Sequence, residues 1–467
     1  MALDMTASPE SADIATADIA TADIDVIVLD WLTANLGTVL DIRREGRWRA
    51  AWYAHVAAKD GVLSLYIRGA RDGRWPPQPL SYEAEVQHYL GEQGLKVPKI
   101  YGFIPSVPAM VMECVPGRAN LATADDEASR HAIVEQLVDQ MRLMHRADPS
   151  GVVAAGAPNP ADPAALALNS YREVEQIYLD GDKMPSPDIE FVRRWLDRNV
   201  PPCVNGPSVI AMDAGQFVFE GAELTSLIDF EFVSVGDYHT DFAALRTRTK
   251  IEPLGDLPTL MRLYEDRGGK PIDIARVRYH SVAFSLFTPL EIAHDLARPQ
   301  STLDFHEYTI WHTASIKDAL EGIAEIEGYA LDIYEPPAKA PSRAASTMES
   351  MDLVLSQLPA PDDYAAFRRD SVLMALRFLH KREAWRDAFE REYCDDVEML
   401  TGARPASEWE ADVQLEAYVR AASSGLDEPI VRLLHRRVQR TALLLAEEGT
   451  HLFHSLRTPL EPLRPWR

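Results

Sequence analysis

The chain has 467 residues, with 47 lysines and arginines against 72 aspartates and glutamates, a formal net charge of −25. That balance excludes general binding to nucleic acid or to an anionic membrane, both of which need clustered cations, and no apolar run approaches a membrane span. Cys114, Cys203 and Cys394 are odd in number, far apart and without metal-type spacing. With no basic region of a signal peptide at the acidic N-terminus, this reads as a reducing, cytoplasmic setting for a chain of two or three subdomains.

Residues 1–23 repeat the unit TADIA and read as a disordered low-complexity leader. Val28, Trp31, Leu32 and Leu36 fall at helical spacing, which predicts a helix over Ile24–Leu40. Trp48–Gly69 turns strand-like, with Lys59-Asp60-Gly61 as a hairpin turn. Ser81–Leu90 predicts an amphipathic helix with Val86 and Leu90 inward, and Lys96–Gly117 a strand region ending at Pro116-Gly117. In the helix over Ile133–Asp148, Leu137, Met141 and Met144 form a core stripe, and His145 reads as a structural histidine. Pro149–Pro163 reads as a loop and Tyr171–Asn199 as helical.

The most informative stretch is Ser208–Arg248. Val209 and Ile210 lead into a compact loop at Met212–Gln216, and a hairpin through Phe217–Phe219 and Leu224–Ile228 delivers Asp229 at its end. Glu231, Asp237 and Asp241 follow, giving a carboxylate-rich corner suited to a divalent cation and a phosphate ester. Arg246, Arg248 and Lys250 read by default as a solvated helix end. Several helices are predicted from Lys250 to Ile333, then a Pro/Ala/Ser linker at Glu335–Ser346, then a largely helical tail. In that tail Trp385, Phe389, Tyr393 and Val397 recur every four residues, as a core stripe does.

LIDFEFVSVGDYHTDFAAL, Leu227–Leu245, resembles the metal-binding segment of the aminoglycoside phosphotransferase and choline-kinase-like family. The resemblance covers about Ile24 to Ala330 and implies an α+β, protein-kinase-like bilobal fold. A small antiparallel-sheet lobe would span 24–117 and a larger, mainly helical lobe 118–334. A linker at 335–347 and a helical extension at 348–467 lie outside it. It implies that Asp229 holds magnesium, that Arg68 contacts phosphate, and that a helix glutamate, Glu83 in preference to Glu85, pairs with Arg68. The backbone of a hinge at Glu113, Cys114 and Val115 would meet the nucleotide base. The family's metal-binding Asn stands thirteen residues before the metal Asp, which here is Gln216. Its His-Gly-Asp catalytic loop is missing. Counting back five from Gln216 gives Ala211, and Asp213 is the nearest carboxylate, displaced by two. Gly46 is the single glycine of the preceding turn, so there is no glycine-rich phosphate loop.

A loop shortened by two residues would return Asp213 to the position of the catalytic base, and Gln216 offers the carbonyl oxygen of Asn on a longer stem. Without such a base, transfer slows by roughly 10²–10⁴-fold. Two readings therefore stand. One is a Mg2+-dependent phosphotransferase moving the γ-phosphate of ATP or GTP to a small-molecule hydroxyl. The other is a non-catalytic kinase-like protein that binds a nucleotide or metabolite and acts through its helical tail, which is also a candidate homodimer surface or lid.

Overall fold

The computed structural model describes residues 21–47, 49–70, 78–203, 205–298, 305–446 and 453–465. The leader expected over 1–23 lies outside the described residues up to residue 20. Helix α1, Thr21–Asn35, places Val28 and Leu32 against a five-stranded antiparallel sheet. The helix stops short of the expected Leu40. Gly37 adopts φ 145, and a Cβ there would lie 2.2 Å from the Ala57 carbonyl oxygen, so the chain must turn at a glycine. The β-branched Thr38 and Val39 then begin strand β1, Thr38–Arg44.

β2 is Ala51–Ala58 and β3 is Gly61–Gly69, joined at Lys59-Asp60. Helix α2, Leu80–Glu92, precedes β4, Ile100–Ile104, and β5, Ala109–Glu113. The strand order β1-β2-β3-β5-β4, with α2 crossing from β3 to β4, is the small lobe of a protein-kinase-like fold. The connection from β1 to β2 therefore lies at the same end of the sheet as Arg68, and Lys59-Asp60 is the hairpin connection at the opposite end.

The larger lobe begins with α3, Glu127–Arg146, capped by Asp126. The expected loop at Pro149–Pro163 opens instead with a helix, α4, Pro149–Ala155, because Asp148 caps it and Pro149 occupies its first turn. Short α5, Pro163–Ala167, leads to α6, Asn169–Asp180, and α7, Pro187–Arg198. Two small antiparallel pairs follow: β6, Ser208–Ile210, with β9, Ser234–Gly236, and β7, Phe217–Glu220, with β8, Glu223–Leu227. Helices α8, His239–Arg248, α9, Leu257–Asp266, α10, Ile274–Leu296, and α11, Phe305–Glu327, complete the lobe.

After an extended segment come α12, Ala345–Ser356, α13, Asp363–Thr401, α14, Glu408–Ala421, α15, Asp427–Leu445, and α16, Phe453–Arg457. Tyr393, Val397, Leu415 and Leu434 share one buried cluster with Trp195, Leu286 and Ile316 of the kinase-like lobe. The stripe Trp385, Phe389, Tyr393, Val397 is buried throughout. At its other end α13 reaches the small lobe: Arg43 pairs with Asp363 at 3.1 Å and the Arg44 guanidinium lies 4.4 Å from the Tyr364 ring. At about 1.5 Å per residue, this helix is long enough to bridge both lobes. No helix among the described residues is long and apolar enough to cross a membrane.

Because the tail completes the core around α7, α10 and α11, a chain truncated after residue 347 should expose that face and aggregate. Soluble expression and a thermal melt check this; an unchanged cooperative melt would show that the tail packs only peripherally.

Candidate active site

Strand β3 pairs with β2 and β5 such that Arg68 stands opposite Ala51 and Met110, near the inner end of the sheet. Its guanidinium is buried among three carboxyl groups. Nη2 lies 2.5 Å from Asp229 Oδ1 and 3.0 Å from Glu231 Oε2, and Nε lies 3.3 Å from Glu83 Oε2. Glu83 is thus the α2 carboxylate that meets Arg68. A second buried arginine, Arg49 from the β1–β2 turn, meets Glu231 at 2.5 Å. Arg49 was not singled out by the sequence, since nothing local distinguishes it from a solvated turn residue.

Burial disfavours charge on Arg68, but Asp229, Glu83 and Glu231 overcome this and hold it protonated. The converse does not hold for Glu83. Burial pushes its carboxyl up to about 7 despite Arg68, and the neighbouring Glu231 and Asp229 add to the rise. Two guanidinium groups cannot neutralise three carboxylates, and Glu83 has the longest of the three contacts to Arg68.

Asp229 sits just past β8 in a left-handed conformation, φ 65, uncommon outside glycine. Tyr82 of α2 donates to the Val233 carbonyl at 2.6 Å, fixing the segment that carries Asp229 and Glu231 to the same helix that carries Glu83.

The loop after β6 has its own anchor. Asp241, fully buried on α8, accepts from the amides of Ala211 at 3.0 Å and Met212 at 2.9 Å, and from His145 Nε2 at 2.9 Å. Tyr264 is 2.9 Å from the other His145 nitrogen, so this histidine is structural. Met212 takes φ 65, and the loop then turns through Gly215 at φ 92 to Gln216. Asp213 is held from two sides, by Gln216 Nε2 at 2.8 Å and Arg248 Nη2 at 2.9 Å. Arg248 also donates from Nε to the Ala214 carbonyl at 3.0 Å, and a Cβ on Gly215 would lie 2.6 Å from its Cδ.

The basic residues after Asp241 are therefore not a solvated helix end. Arg246 is buried against Glu325, Lys250 meets Asp318 at 2.5 Å, and Arg248 clamps the loop. Each points inward to a carboxylate that lies far away in sequence or in the loop, which a local charge count misses. Asp237 is likewise a structural group. Burial would raise its carboxyl, but the contact with His239 at 2.5 Å and the neighbouring His280 ring hold it far below the ordinary carboxylate range.

Asp213, Gln216 and Asp229 line one cleft, floored by Leu137, Met141 and Met144 of α3 and enclosing about 360 Å3 of empty space with its open mouth. Its donors are two carboxylates and an amide carbonyl, oxygen ligands suited to a hard cation such as magnesium, which completes its shell with water and phosphate. Among the described residues, no group of three or more His, Cys, Asp and Glu side chains has metal-holding geometry. At the end of β5, where the sequence predicts a hinge, the amide of Cys114 donates to the Ser64 carbonyl at 2.9 Å and that of Glu113 to the Lys99 carbonyl at 2.8 Å. The chain then passes Val115 to Gly117, whose φ of 136 lets Arg118 bridge Phe219 of the larger lobe.

Residues 44–279 match the profile of the phosphotransferase enzyme family, an interval that spans both lobes and this cleft. The chain belongs to that family. None of the curated proteins matches it. Among solved structures it is similar to a macrolide 2′-phosphotransferase from Brachybacterium faecium, with 18% identity over 64% of this chain and 98% of that one, TM-score 0.43. It is also similar to a thermostable mutant of aminoglycoside phosphotransferase APH(4)-Ia in complex with ADP and hygromycin B, with 16% identity, covering 62% of this chain and 98% of that one, TM-score 0.44. A third is an aminoglycoside phosphotransferase from Streptomyces rimosus, with 15% identity, covering 58% of this chain and 99% of that one, TM-score 0.41.

Asp241→Asn replaces a carboxylate that accepts three hydrogen bonds, and should lower unfolding free energy by about 2–4 kcal/mol in urea denaturation; a change within error would remove Asp241 as the loop's anchor. Glu83 binds its proton more tightly folded, near 7, than unfolded, near 4.5. Its contribution to stability is therefore complete below about 4.5 and lost as pH rises through about 7. The stability of the wild type should fall relative to Glu83→Gln across that window, and parallel curves would contradict the assignment.

Proposed function

We propose that this family member is a magnesium-dependent kinase that transfers the γ-phosphate of a nucleoside triphosphate to a hydroxyl of a small molecule. The observation that carries the reading is the convergence of Asp213, Gln216 and Asp229 on one cleft, directly beside the buried Arg68. In this reading Asp229 and the Gln216 side-chain carbonyl hold magnesium, which when bound neutralises charge on the transferring group. Arg68, kept cationic by its carboxylates, binds phosphate, and Glu83 orients it. The backbone at Glu113, Cys114 and Val115 borders the nucleotide base.

Asp213 orients the acceptor hydroxyl and receives its proton. The amide of Gln216 and the guanidinium of Arg248 fix the carboxylate without any histidine before it. Phosphoryl transfer through a loose transition state is catalysed mainly by positioning and charge stabilisation, so placement of the attacking oxygen matters more than the basicity of Asp213.

The non-catalytic reading draws on the missing His-Gly-Asp and glycine-rich loops and on the ion pair that ties Asp213 to Arg248. The two readings separate in a thermal-shift titration with Mg-ATP and Mg-GTP. At about 100 times its dissociation constant, a bound nucleotide stabilises the fold by about 2.7 kcal/mol. The magnesium-dependent part of that shift should vanish in Asp229→Asn. Asp213→Asn should keep the shift and slow phosphate release or transfer by roughly 10²–10⁴-fold. A shift that survives in Asp229→Asn unchanged, or turnover unaffected in Asp213→Asn, would overturn these roles.

A further inference from the structure

Arg49 comes from the β1–β2 turn and Arg68 from β3, yet both guanidinium groups converge on one oxygen, Glu231 Oε2, at 2.5 and 3.0 Å. The side chains of Arg49 and Glu231 are each 2% exposed, so this is a built interior site rather than a surface pair. Two guanidinium groups aimed at a single oxyanion is the arrangement arginine makes with phosphate. Among its described residues, the turn that carries Arg49 offers little else to a phosphate. Arg47 is tied to the Tyr66 hydroxyl at 3.0 Å, and a Cβ on Gly46 would lie 2.6 Å from the Asp363 carbonyl oxygen, so α13 backs the turn closely there. The Arg49 guanidinium, not a glycine-rich backbone, is what this turn contributes to the buried cluster beside Asp229.

We infer that Arg49 and Arg68 together form a binding site for the terminal phosphates of a nucleotide or polyphosphate, and that Glu231 occupies this site as an internal phosphate mimic until the ligand displaces it. The placement of the nucleotide rests on the phosphotransferase reading above; the two-arginine anion site does not. The cluster contains two guanidinium groups and three carboxyl groups, from Glu83, Asp229 and Glu231, and so carries no surplus positive charge. A phosphate enters such a cluster by taking the place of a carboxylate, and Glu231 is the carboxylate that both arginines share. Displacement makes affinity depend on Glu231 in the direction opposite to an ordinary binding residue.

Isothermal titration of wild type, Glu231→Gln, Arg49→Met, Arg49→Lys and the double variant Glu231→Gln/Arg49→Met tests this, with inorganic tripolyphosphate and Mg-ATP as probes. Glu231→Gln should bind tripolyphosphate at least about tenfold more tightly than wild type, and adding Arg49→Met should abolish the gain. Mg-ATP should bind at least about tenfold more weakly to Arg49→Met, with Arg49→Lys between it and wild type. The double variant removes both members of the buried pair, so it reports even if Arg49→Met alone fails to fold. Equal tripolyphosphate affinity in wild type and Glu231→Gln, or a gain that persists in the double variant, would overturn the inference. Tripolyphosphate binding that depends on Arg49, without any Mg-ATP binding, would sustain it while sinking the phosphotransferase reading.

Discussion

The structure depends on a buried guanidinium that three carboxyl groups share. Arg68 takes Glu83 from α2 and Asp229 and Glu231 from the segment after β8, so one residue joins the sheet, its helix and the larger lobe. Burying these charges is expensive, and removing one partner from such a group typically costs about 3–5 kcal/mol because the remaining charge stays buried. The relative position of the lobes and the charge state of the cleft are therefore one problem. A ligand that alters the charge beside Arg68 alters the contact that holds the lobes together.

A second constraint acts on the loop that carries Asp213. The loop lacks the histidine and the length of the family pattern, yet it is closely held, by Asp241 at Ala211 and Met212 and by Arg248 across Gly215. Two non-glycine residues, Met212 in the loop before Asp213 and Asp229 after β8, adopt left-handed backbone conformations. Strain of this kind costs on the order of 1–3 kcal/mol at each site and persists only where the surroundings over-determine it. Here the surroundings are the Asp241 anchor and the Arg68 cluster.

Much of this was legible in the sequence because it is encoded locally. The hairpin through Phe217 and Leu224 that delivers Asp229, the α2 glutamate and the apolar stripe of α3 each follow from a short pattern. The failures are of two kinds. At Gly37 and Pro149 a single residue overrode the average character of its segment, ending a helix in one case and starting one in the other. At Arg49, Arg246, Arg248 and Lys250 the partner is distant in sequence or hidden in a loop, and a charged residue looks solvated until the fold supplies its carboxylate. The tail shows both limits: its core stripe was plain from the period of four, whereas its contact with the β1–β2 turn at Gly46 required the whole helix to be placed.

The central claim is that the cleft lined by Asp213, Gln216 and Asp229 transfers phosphate, and the most direct measurement is 31P NMR of the full-length chain incubated with Mg-ATP and a panel of hydroxyl compounds. The account predicts loss of the γ-phosphate signal with the appearance of a phosphate monoester, and neither change when Asp229→Asn replaces the wild type. A γ-phosphate signal that stays intact with wild-type protein, under conditions where Mg-ATP is bound, would contradict it.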